Sequence, residues 1–150
     1  MTGDLLTDLY DRIEDELDDL QQTSDALRAR FDQRYGDVRV VVTHDPEAEM
    51  LRVAVRVPPP AGAGAPFLVF CLSLNARYWD VKTGLDHDGR VLVHADLEAP
   101  EDIDLKALGE AVVERAETVV DVLDEDLVEW CLAEGYGTPA QRERWETFGD

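Results

Sequence analysis

The chain is poor in basic residues and cysteine and has no long apolar run. Against 34 aspartates and glutamates stand 14 lysines and arginines, a formal net charge of −20 over 150 residues. A protein so negative repels phosphate backbones and anionic lipid surfaces, so no direct nucleic-acid binding and no membrane partner are expected. No window approaches the ~20 consecutive apolar residues of a membrane span. The start, MTGDLLTDLYDRIEDELDD, has no basic segment and no uninterrupted apolar stretch, which predicts a soluble, cytoplasmic protein. The two cysteines, Cys71 and Cys131, lie in apolar surroundings 60 positions apart without a CxxC pair, and this predicts buried free thiols in preference to a disulfide.

Catalytic patterns are equally scarce. Neither GxGxxG nor GxxxxGK[ST] occurs, and GAGAP is too short and lacks the lysine. His44, His87 and His94 show no metal-ligand spacing; the first two are expected in turns and the third on a strand, solvated or hydrogen-bonded. Asp86-His87-Asp88-Gly89 resembles part of a calcium loop, but a register with Gly89 at the sixth position puts Gly84 first and Ala95 last, where carboxylates are required. A hairpin turn is the better reading. Among so many acids, ExxE spacings carry no metal inference. No catalytic residue, metal or cofactor is assigned, and a non-enzymatic protein is expected.

What the chain does have is an uneven charge distribution. Residues 1 to 37 carry 11 acids and 4 bases, residues 38 to 97 carry 7 and 6, and residues 98 to 150 carry 16 and 4. The acidic ends read as solvated helix faces, because acids alternate with apolar residues at helical spacing. A partner is therefore to be sought on the nearly neutral centre. Hydrophobic residues make up 45 % of the chain, enough for a core in one domain of this length. A domain over 1–133 and a tail over 134–150 with a short helix are expected.

Leu6, Leu9, Ile13, Leu17 and Leu20, resumed by Leu27, Phe31 and Tyr35, predict a long amphipathic N-terminal helix, with a kink or a fresh cap at Ser24. From Val38 the period changes to two. Val38 to Thr43 and Met50 to Val57 read as a hairpin around HDPEAE, PPPAGAGAP as a wide loop between strands or a linker, and Phe67 to Leu74, apolar on both faces, as a central strand. Val81 to Asp86 and Arg90 to Leu97 form a second hairpin through the Asp-Gly turn. A long helix from Ile103 or Asp104 to Ala133 follows, capped by Asp102 or Asp104 and stopped by Gly135, and Thr138-Pro139 opens the tail helix. The order predicts an α+β fold with an antiparallel sheet of about five strands and both long helices packed on one face.

Strand phasing predicts two unlike sheet faces. Val38, Val40, Val42, Leu51, Val53, Val55, Val57, Leu68, Phe70, Leu72, Leu74, Val91, Val93, Ala95 and Leu97 belong to the core face. The other face collects Val41, Val69 and Leu92, with Arg39, Arg52, Arg56 and Arg90 around them. It is too apolar for a fully solvated face, so it meets a second subunit, a client polypeptide or the protein's own tail through Trp145 and Phe148.

From Leu72 the sequence runs LSLNARYWDVKTGLDHDGRVLVHADL, then an acidic loop, then a helix beginning DLKALGEAVVERAETVVDVL. This resembles the type III secretion chaperone-like superfamily, which includes CesT-type chaperones and YbjN-type domains. The matching residues are Leu74-Asn75, Leu85-Asp86, Asp88-Gly89 and Asp96-Leu97, with the leading helix and the acidic charge. The resemblance implies a homodimeric, chaperone- or adaptor-like module that binds a client or effector polypeptide. The competing classes are an acidic regulator or nucleic-acid mimic, which should carry regularly spaced acids on one continuous face, and an enzyme, which should show polar groups converging on loops.

Overall fold

The computed structural model describes residues 2–149, with side chains from Leu5 onward. The fold is α+β, a six-stranded antiparallel sheet with helices on one face. It opens with α1 (Thr2–Ile13), which buries Leu6, Leu9 and Ile13 at helical spacing. The N-terminal helix is thus short, and the expectation of helix through Tyr35 is wrong. Asp19 takes a left-handed backbone at φ 52°, and the chain turns back into β1 (Gln21–Gln22) and β2 (Ala26–Asp32). The segment ALRARFD satisfies both periods. Leu27 and Phe31 fit a helix stripe, yet Leu27, Ala29 and Phe31 also alternate with Arg28, Arg30 and Asp32, and pairing with the next strand decides for β.

β3 (Asp37–Asp45) and β4 (Met50–Val57) form the expected hairpin. His44 lies inside β3 opposite Leu51, not in the turn. The proline-rich loop then leads into α2 (Ala65–Arg77), so Phe67 to Leu74 is a helix and not a central strand. An apolar run of this length has no periodicity that separates the two. Pro66 lies in the first helical turn, where its fixed φ and missing N–H are tolerated, and packing of the helix decides the rest. α2 buries Phe67, Cys71 and Leu74, packs beside the next strand, and stacks Phe70 on Trp130 at 4.9 Å between ring centres. Both thiols are free and buried, and desolvation pushes Cys71 up to about 11 and Cys131 up to about 12.

β5 (Lys82–Leu85) and β6 (Val91–Glu98) make the second expected hairpin, with Gly89 at φ +80° in its turn. The sheet order is β1-β2-β3-β4-β6-β5. α3 (Leu105–Asp121) is capped by Asp104, whose carboxylate accepts the Lys106 N–H. It continues through a π-helical turn, Val122–Leu127, into α4 (Val128–Glu134), ended by Gly135 in the left-handed conformation. Two acids of the π turn reach across the fold: Asp124 accepts the backbone N–H groups of Arg34 and Tyr35, and Asp126 accepts the Tyr78 hydroxyl. α5 (Pro139–Thr147) begins with a capping box between Thr138 and Gln141.

The core is a single cluster. Val38, Val40 and Val42 of β3, Leu51, Val53, Val55 and Val57 of β4, and Val91, Val93 and Ala95 of β6 meet Leu108, Val112, Val119 and Leu123 of the long helix. The core-face assignment from strand phasing holds on these three strands.

Candidate partner-binding surface

The opposite face of the sheet carries most of the residues expected there, and strand register shows how they are arranged. Antiparallel partners share a face, so the pairs line up in rows across the strands. One row runs Ala26, Thr43, Arg52, Asp96. The next runs Arg28, Val41, Ala54, His94, Lys82. The third pairs Arg30 with Arg39 and Arg56 with Leu92, Arg39 and Arg56 standing one step beyond the Val40–Val55 pair. Val41, Leu92 and His94 are half-buried, and small Ala54 forms the floor between the flanking arginines.

Thus Arg39, Val41, Arg52, Arg56 and Leu92 do come together, and Arg90 borders them at the hairpin. Val69 does not. It lies on α2, 65 % exposed, away from the sheet face, because the segment that carries it is helical. The face also holds Arg28, Arg30 and Lys82, which the sequence reading missed. The two arginines were hidden by the helical reading of β2, whereas Lys82 was legible as the partner of His94 once the second hairpin was recognised. The tail does not cover this face. Trp145 of α5 is buried against Tyr35, with ring centres 5.8 Å apart, and Arg144 reaches Asp32 and the Gln33 and Arg34 carbonyls at the β2–β3 turn.

Half of the chain's bases therefore lie on one face of a protein of net charge −20. Several are neutralised in place. Arg52 makes two hydrogen bonds to Asp96 at 2.9 and 3.1 Å, which raise the guanidinium and hold Asp96 below the usual carboxylate range. Arg30 pairs with Asp37 at 2.9 Å. Asp86, its side chain only 7 % exposed, faces Arg56 at 3.4 Å and Arg90 at 3.8 Å. Burial alone would raise Asp86, but the N–H groups of Arg90 and Asp88 and the charge of Arg90 outweigh it and lower it. His94 is shifted down, first by burial and then by the positive charges of Arg52 and Arg56, against the opposing pull of Asp96. Arg28, Arg39 and Lys82 make no ion pair among the described residues. Asp88 at the hairpin turn lies 3.3 Å from Arg90, and further acids sit at the strand ends, Asp45 and Glu98 on one side and Asp32 beside Asp37 on the other.

A second exposed surface lies on α2. Val69 and Leu72 (52 % exposed) project outward beside Ala65, Ser73 and Ala76, and the helix has no acidic residue. Trp79, just after it, is 89 % exposed. No helix among the described residues is long and apolar enough to cross a membrane. No group of three or more His, Cys, Asp or Glu among them converges as a metal-ligand set.

No protein-family model matches the chain, and no curated protein is similar enough in sequence to match it. Solved structures do match. ExsC in the ExsC–ExsE complex superposes with a TM-score of 0.53 at 21 % identity, covering 80 % of this chain and 89 % of the other. YbjN from E. coli superposes with a TM-score of 0.59 at 15 % identity, covering 91 % and 95 %. At such identities the likeness speaks to the fold alone: this chain is folded like ExsC and YbjN.

Proposed function

We propose that this chain is a small, non-enzymatic polypeptide-binding module of chaperone or adaptor type that works as a homodimer. The observation that carries the reading is the sheet face of Val41, Ala54 and Leu92, ringed by arginines and opposite the core face on which, among the described residues, the helices pack. A solvated antiparallel face is normally more polar than this. A structural neighbour, ExsC, is recorded in a complex with ExsE, which supports a polypeptide partner for this chain. The outward face of α2, apolar and free of acids in a protein rich in them, suits contact between two copies, since self-association of the acidic surfaces would be opposed by like charge.

The test is affinity capture of partner polypeptides from native lysate with the wild type and with Val41→Asp/Leu92→Asp. Both side chains point away from the core face, so the variant should melt within a few degrees of the wild type yet lose a polypeptide that the wild type retains. Equal retention by a folded variant would remove this face from the account.

A second reading is favoured by α3. Glu110, Glu114, Glu117 and Asp121 are exposed and follow one another at spacings of four, three and four, a continuous acidic stripe of the kind an acidic regulator or nucleic-acid mimic needs. YbjN, a suggested transcription regulator, is compatible with it. Capture of a basic partner that is lost on Glu114→Gln/Glu117→Gln, with the sheet face indifferent, would favour this reading.

A further inference from the structure

The basic residues of the open sheet face are not all accounted for by the fold. Arg30, Arg52, Arg56 and Arg90 each have a carboxylate of this chain within ion-pair distance. Arg28, Arg39 and Lys82 have none among the described residues, and all three are exposed. In a chain with 34 acids and 14 bases, these three cations share one surface, and Arg39 acts on Asp37 only from beyond ion-pair distance. Register fixes their positions. Arg28 and Lys82 stand in the same row, on β2 and β5, with Val41, Ala54 and His94 between them and Gln21 of β1 beyond Arg28. Four interstrand steps of ~4.8 Å put their backbones about 19 Å apart. Arg39 stands in the neighbouring row, opposite Arg30. The result is a shallow apolar strip with an unpaired cation at either end and a third at its side.

We propose that this strip receives an acidic polypeptide segment, laid across the strands with apolar side chains on Val41, Ala54 and Leu92 and carboxylates at Arg28, Arg39 and Lys82. The inference rests on the reading of this face as the client surface and adds the chemistry of the client. Charge complementarity selects the occupant. The overall charge of −20 opposes any anion at long range, so the local cations offset that repulsion only for a segment short enough to stay within the strip. A nucleic acid fits less well, because a phosphate backbone carries charge continuously and beyond the three cations meets only the net charge of −20. About six extended residues span the row.

The experiment is fluorescence anisotropy with a labelled peptide of about twelve residues, twice that span, in which glutamate alternates with valine and serine. Its partners are a matched peptide with glutamine for every glutamate and a single-stranded oligonucleotide of similar length. The proteins are the wild type, Arg28→Gln/Arg39→Gln/Lys82→Gln, which keeps polar side chains at exposed positions and so keeps the fold, and Val41→Asp/Leu92→Asp. The wild type should bind the acidic peptide at least about tenfold more tightly than the glutamine peptide, and the triple variant should lose that preference. The preference should shrink as salt is raised from about 0.05 to 0.5 M. Failure of the wild type to bind the acidic peptide overturns the proposal. If both peptides bind equally, ignore the triple substitution and are lost with Val41→Asp/Leu92→Asp, the face is the client surface and the acidic chemistry is wrong. If peptide binding survives the apolar double substitution, the underlying reading of the face fails with it. Tighter binding of the oligonucleotide than of the acidic peptide, or salt-labile higher oligomers abolished by the triple substitution, assigns the strip to nucleic acid or to a second copy of the chain and likewise overturns it.

Discussion

His94 shows how the open face is tuned residue by residue. Its ring nitrogen Nδ1 lies 3.3 Å from Asp96 Oδ1, yet burial and the nearby Arg52 and Arg56 leave its pKa below the ordinary value of 6.5. The unfolded chain therefore takes up the His94 proton more readily than the folded one. The contribution of this residue to stability is full above the unfolded value and declines as pH falls below it, reaching its worst once the folded pKa has also been passed. Replacing His94 by Gln, which removes the titration, should leave a variant whose melting temperature relative to wild type rises as pH is taken from 7 to 5. A difference that stays constant across that range would contradict the buried, arginine-flanked environment. Since wild-type His94 is neutral near pH 7, the cations available to a partner there are the arginines and Lys82.

At the scale of elements, α2 and the β2 strand are where sequence and structure part, and both bear on function. The hairpins, the turn at Gly89, a cap at Asp102 or Asp104, the stop at Gly135 and the Thr138-Pro139 start of α5 were legible because each depends on a few residues with narrow backbone or hydrogen-bonding preferences. The face assignment on β3, β4 and β6 was legible for the same reason, period-two alternation being local. β2 was not, since ALRARFD fits both periods and only its pairing to β3 settles the matter. Nor was α2, because Phe67 to Leu74 is apolar all along and its identity rests on packing against Trp130 and β5. The error moved Val69 from the sheet to a helix and so split one proposed surface into two. The consequence is testable. Val69→Asp/Leu72→Asp on the outer face of α2 should turn a homodimer of twice 16.8 kDa into a folded monomer by light scattering at micromolar concentration, because an unpaired carboxylate buried in an interface costs several kcal/mol, on the order of ~3 to 5. A variant that remains dimeric would place the contact elsewhere.

The whole molecule is electrically two-sided. Acidic helices lie on one side of the sheet, and half of the bases lie on the other, part neutralised by Asp37, Asp86 and Asp96 and part left without carboxylates. That division, together with the apolar strip between Arg28 and Lys82 and the separate apolar face of α2, is the basis on which we propose one surface for a client and another for a second copy. The most direct test is backbone amide chemical-shift mapping of the labelled protein as a captured client polypeptide is added. The account predicts the largest changes at Val41, Ala54, Leu92 and His94 and at the arginines beside them. Changes confined to the acidic stripe of Glu110, Glu114, Glu117 and Asp121, with the sheet face unmoved, would contradict it.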